Sequence, residues 1–147
     1  MQGRFAEAEQ EYRRQIQAEP DRPLLRNELG IALIGQRRFT EALHEFSEAI
    51  RIDPAYAMAY ANRGVVNVEL HQLDDAVRDF RKALELEPKN SGFHAKLGFA
   101  WFQLGRVDDA IAEYDEALRL DPGNEQARRN RSYIMVGRPS PGPRGAP

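Results

Sequence analysis

Residues 62–88 read NRGVVNVELHQLDDAVRDFRKALELEP, and the pattern changes twice along them. From Leu73 onward the apolar residues Leu73, Ala76, Val77, Phe80 and Leu84 fall three or four apart, the spacing that turns one face of a helix toward a core. Pro88 closes that run, because proline restricts the residue before it and has no N–H to give to the preceding turn. Gly64 and Ala76 remove side-chain bulk where two backbones must approach, so that the larger Tyr60 and Phe80 can interlock around the contact. The stretch therefore predicts a helix, a turn and a second helix.

Stepping outward by 34 residues returns the same marks. Proline stands at Pro20, Pro54, Pro88 and Pro122, each preceded by an acid; alanine stands at Ala8, Ala42, Ala76 and Ala110. An aromatic follows each alanine by four, at Tyr12, Phe46, Phe80 and Tyr114, and glycine recurs at Gly30, Gly64 and Gly98. A fixed period of this length is the signature of a repeat architecture. It predicts first helices over 23–36, 57–70 and 91–104, and second helices over 6–19, 40–52, 74–87 and 108–121, with Thr40, Asp74 and Asp108 as N-caps.

The glycine, alanine, aromatic and proline positions just quoted resemble those of the tetratricopeptide repeat, a 34-residue helix-turn-helix. The resemblance covers full repeats at 23–56, 57–90 and 91–124, a half repeat at 3–22 and a C-terminal capping helix at 124–136, together a repeat domain over 1–136. It departs at Arg26 and His94, where the family favours a large aromatic and only Tyr60 conforms, and at Arg63, where leucine is usual; these predict looser packing at both ends. The fold it implies is all-α, a right-handed superhelical α-solenoid whose first helices line a concave face. Physics gives the same broad result, since one helix pair cannot bury its apolar stripe without a neighbour. In the last helix Ala127, Tyr133 and Ile134 are expected to pack inward, with Arg128, Arg129 and Asn130 solvated. Residues 137–147, GRPSPGPRGAP, are too rich in proline and glycine to fold and are expected to form a flexible tail.

Composition narrows the function. With 147 residues, 41% of them hydrophobic and 30% charged, the chain has the make-up of one soluble domain. It has no cysteine, no apolar run near the length of a membrane span and no secretory pattern at its start, which together read as a cytoplasmic protein. His44, His71 and His94 have no metal-ligand spacing, and no nucleophile elbow or phosphate-binding loop is present. The acid pairs Asp74-Asp75 and Asp108-Asp109 recur at helix starts, where a carboxylate suits the helix dipole. No enzyme activity, metal or cofactor is predicted. The net charge of −2 divides into +4 over residues 125–147 and −6 elsewhere, so the alternative function is a nucleic-acid-associated or regulatory accessory factor using the arginine-rich end.

The favoured reading is a protein-interaction module. Carried over one position at a time, the family's concave-face offsets give Asn27, Ile31 and Ile34 from the first full repeat. They give Ala61, Asn62, Val65 and Val68 from the second, and Ala95, Lys96, Phe99 and Phe102 from the third. Ile31, Ile34, Val65, Val68, Phe99 and Phe102 would form an apolar trough for a peptide or helix of a partner protein, with Asn62 and Lys96 bonding its backbone or an acid. The competing reading is that several of them simply pack between repeats. Chaperone-binding members of the family grip a C-terminal carboxylate with lysines, an arginine and asparagines. The matching places here hold Asn27, Ile31, Asn62, Gly92 and Lys96, so two basic positions are lost and the resemblance does not extend to that clamp.

The first residues raise a separate matter. Gly3 falls where Gly105 ends a first helix, so the chain is expected to start mid-repeat, either as the C-terminal portion of a longer array or with a lone helix 6–19 packed on the next repeat. In the second case Phe5, Ala8 and Tyr12 leave an apolar edge open, and the chain would form a homodimer through it.

Overall fold

Each second helix stops two residues short of its proline, and at Asp53 and Asp121 the acid between them takes an extended backbone. The computed structural model describes residues 2–137, with side chains from residue 4 onward. The helices of the second type are α1 (Gln2–Ala18), α3 (Phe39–Ile52), α5 (Leu73–Leu86) and α7 (Val107–Leu120). Those of the first type are α2 (Pro23–Gly35), α4 (Ala57–Glu69), α6 (Ser91–Gln103) and α8 (Glu125–Gly137). Among the described residues no strand occurs, and the molecule is an all-α solenoid of helical repeats. Asp53 and Asp121 do more than precede a proline: the Oδ1 of each accepts the N–H two residues on, from Ala55 and Gly123, both at 2.9 Å, closing the turn into the next first helix.

Within a repeat the turn from first to second helix is three residues long. Its middle residue lies in the left-handed region, with φ of 59° at Arg37, 57° at His71 and 75° at Gly105. The next N–H reaches back five residues, from Arg38 to Leu33, Gln72 to Asn67 and Arg106 to Trp101, at 2.8–2.9 Å. This is the Schellman ending of a helix, and only the third repeat gives it the glycine it favours. Two sequence expectations need correction here. Gly3 does not end a helix; it lies inside α1, which starts a turn earlier than its counterparts because no described helix precedes it to turn from. Thr40, Asp74 and Asp108 are not caps either: the N-caps are Arg38, Gln72 and Arg106, and the acids sit in the first helical turn. The short turn uses its last residue as the cap, which shifts the helix start one residue earlier. The side-chain caps that do form are on first helices, where Asn90 Oδ1 accepts from Phe93 and Asn124 Oδ1 from Ala127.

Each helix packs on the next along the chain, and α2, α4, α6 and α8 also touch in series, forming an inner layer. The core lies between the layers. At Gly64 a Cβ would come 2.7 Å from the ring of Phe80, so the glycine is what lets that fully buried ring lie on the α4 backbone. The unusual Arg63 is built in. Its Nε and second terminal nitrogen donate to both oxygens of buried Asp79 at 3.0 and 2.7 Å, while Asn67 Nδ2 donates to the same carboxylate at 3.0 Å. Arg26 and His94, the other departures, meet Glu45 at 2.9 Å and Glu113 at 2.7 Å. Of the residues expected to pack inward from α8, Ala127 and Ile134 are buried but Tyr133 is 73% exposed. Tyr133 falls one 34-residue step beyond Phe99, on the concave side of the helix. The expected tail at 137–147 lies outside the described residues apart from Gly137, which ends α8.

Candidate functional site

The inner layer carries two parallel rows of side chains. One row is Ile31, Val65, Phe99 and Tyr133; the other is Ile34, Val68, Phe102 and Val136; each row advances by one repeat per residue. Side chains at the same place on adjacent helices of a stack become neighbours, and here they fall into three groups. Val65, Val68, Lys96 and Phe99 line one cavity of about 320 Å³ between α4, α6 and α8, with Phe80 behind them and Glu69 and Gln126 at its sides. Phe102 lines a second, apolar hollow with Tyr133, Ile134, Val136 and Val107, and its ring meets Tyr133 edge to face at 6.1 Å. Ile31 and Ile34 stand apart from both: Ile31 is exposed, and Ile34 packs on the cluster around Leu29 and Leu33.

The remaining offsets lead inside. Ala61 and Ala95 have no exposed surface, and Asn27 has 1%, so none of the three can touch a ligand in this arrangement. Asn62 donates from Nδ2 to the Oδ1 of Asn27 at 2.8 Å, which ties α2 to α4 across the layer. Packing of first helix on first helix claims these positions. Tyr133, which was expected to pack inward, and Val136, which was given no role, extend both rows. The signal was available, since each lies 34 residues beyond a residue already named.

Lys96 differs in kind from its neighbours. It is half-buried against apolar side chains, and among the described residues its ammonium makes no hydrogen bond and has no carboxylate within 4 Å. Burial lowers its pKa, since the charged form loses solvation that nothing replaces. A half-buried cation beside an apolar hollow supplies what an amphipathic segment with one acid would satisfy. The arginines at the C-terminal end are by contrast engaged. Arg128 bonds the Pro122 carbonyl, Arg129 pairs with Glu125 at 2.7 Å, and Arg131 pairs with Asp115. Arg138 and Arg144 lie outside the described residues. No helix among the described residues is long and apolar enough to cross a membrane.

Comparison with known proteins agrees with this geometry. A family model described as Tetratricopeptide repeat matches residues 2–57 and 61–125. No curated protein matches. Among solved structures, a thermophilic TPR protein of Thermus thermophilus superposes with a TM-score of 0.83 at 23% identity, over 91% of this chain and 74% of that one. MamA superposes with a TM-score of 0.82 at 22% identity, over 92% and 79%. The first TPR of Spaghetti bound to an HSP90 peptide, SRMEEVD, gives 0.75 at 23% identity, over 78% and 91%.

Proposed function

Since the chain belongs to the tetratricopeptide repeat family, we propose that it is a non-enzymatic scaffold or adaptor that receives an amphipathic segment of a partner protein on its concave face. The observation that carries this reading is the cavity formed by Val65, Val68 and Phe99 with Lys96 at its side, whose ammonium no described carboxylate meets within 4 Å. The segment would place an apolar side chain in the cavity and an acid on Lys96, while Phe102 and Tyr133 extend the contact toward α8. That the Spaghetti domain holds a peptide supports a peptide as the class of ligand. The ligand would differ from a C-terminal carboxylate gripped by asparagines, because Asn27 is enclosed and bonded to Asn62.

A library of displayed 15-residue peptides, selected on the chain, tests this. Selected peptides should share an acid within one helical turn of a large apolar residue. Lys96→Met and Phe99→Ser should each weaken their binding at least tenfold while far-UV helicity is kept. Removing an unmatched half-buried charge should also leave the Lys96→Met melting temperature unchanged or raise it by about 1–3 °C. Equal binding by wild type and both variants would overturn the site.

A further inference from the structure

In every complete repeat a base on the first helix holds an acid at one fixed place on the second. Arg26 holds Glu45, Arg63 holds Asp79, and His94 is bonded to Glu113. The three acids are 34 residues apart, and the next step toward the N-terminus is Glu11 on α1. Glu11 has no first helix before it among the described residues and turns to Arg14 and Gln15 on its own helix. At the other end, stepping forward from the bases reaches α8, where Arg128 stands in the place of Arg26 and His94, and Arg131 in the place of Arg63. α8 thus carries both kinds of base with no second helix after it among the described residues, and α1 carries the acid.

The apolar positions match in the same register. Ala42, Ala76 and Ala110 have no exposed surface and Phe46, Phe80 and Tyr114 at most 1%, but their counterparts Ala8 and Tyr12 on α1 are only half-buried. Leu33, Asn67 and Trp101 are at most 7% exposed beneath their second helices, whereas their counterpart on α8, Met135, is 45% exposed. The glycine that receives the ring is replaced on α8 by Ser132, so Tyr12 must sit slightly further out than Phe80 does over Gly64.

We propose that α8 of one copy receives α1 of a second copy, completing a fourth repeat between chains, with Arg128 and Arg131 on Glu11 and Met135 against Tyr12. This replaces a symmetric pairing of two α1 helices. The two surfaces differ and the contact does not close on itself, so it produces an open series of lengths rather than a dimer. It does not rest on the trough.

Light scattering on a sizing column, with the 147-residue chain at increasing concentration, reads the outcome. The average mass should climb past that of two chains without a plateau. Glu11→Arg should hold the chain at monomer mass, as should Arg128→Glu combined with Arg131→Glu, both with native helicity. An equimolar mixture of these two variants should assemble again, because each supplies the surface that the other reverses. Arg128→Glu alone, which leaves the Arg131–Asp115 pair in place, should shift assembly to at least tenfold higher concentration, and Ser132→Gly should shift it several-fold lower. A monomer at every concentration overturns the proposal. So does a plateau at two chains that Glu11→Arg breaks and the α8 variants leave intact, which would mean that α1 pairs with itself.

Discussion

Asp79 is the residue on which the middle repeat turns. It is 5% exposed, and its carboxylate meets Arg63 through two hydrogen bonds and Asn67 through a third; the pairing raises the pKa of the guanidinium. Asp79→Ala would leave a guanidinium with 27% of its side chain exposed and a buried amide without their acceptor. The expected cost is about 3 kcal/mol in urea unfolding, whereas Arg63→Leu with Asp79→Leu should come back to within about 1–2 kcal/mol of wild type. From sequence, Arg63 reads as a defect at a leucine position. Its partner is sixteen residues away on another helix, and only the fold brings the two together. What the residue types cannot give is how close the next first helix comes, and so Asn27, Ala61 and Ala95 read as surface although the packing of α2, α4 and α6 encloses them.

At the scale of elements, α1 is held differently from the other second helices. Its Glu9 accepts from Gln36 Nε2 at 2.8 Å and from Arg38 at 2.6 Å across to the next turn, and from Arg13 at 2.9 Å. Burial alone would raise the pKa of this carboxyl, but the bonds from Gln36 and Arg13 and the charge of Arg38 outweigh it and hold it below the ordinary 4.5. The folded state therefore binds the proton less readily than the unfolded one. The contribution is complete above pH 4.5 and is lost as pH falls through the lowered value. Residue-resolved NMR between pH 6 and pH 3 should show α1 loosening from α2 before α5 loosens from α4, and Glu9→Gln should remove most of that difference in pH response. The helices themselves were legible to within about a residue at most ends, because proline, glycine and the apolar period act locally. The caps were not, since a three-residue Schellman turn sets the start of a second helix independently of the acid beside it.

For the whole molecule, stability is a sum over neighbours, and damage at one end should stay near that end. Deleting residues 125–147 removes Ala127 and Ile134 from the cluster that contains Trp101, Tyr114 and Ala117. Amide exchange should then quicken most in α6 and α7 and least in α2 and α3. Uniform loss of protection would mean that the array melts as one unit. The period gave the architecture because every repeat restates it. The two concave rows were only partly visible, because α8 reads as a polar cap until the 34-residue step is carried through to Tyr133 and Val136.

The inner layer has a mechanical consequence. First helices touch one another along the whole stack, but no Cα of α3 comes within 8 Å of one in α5, nor does α5 so approach α7. The concave side is a continuous spine and the convex side a row of gaps, the arrangement of a leaf spring. Bending that opens or narrows the gaps disturbs little packed surface, and small rotations at three successive repeats add up at the ends. The molecule can therefore change its curvature without breaking any one repeat.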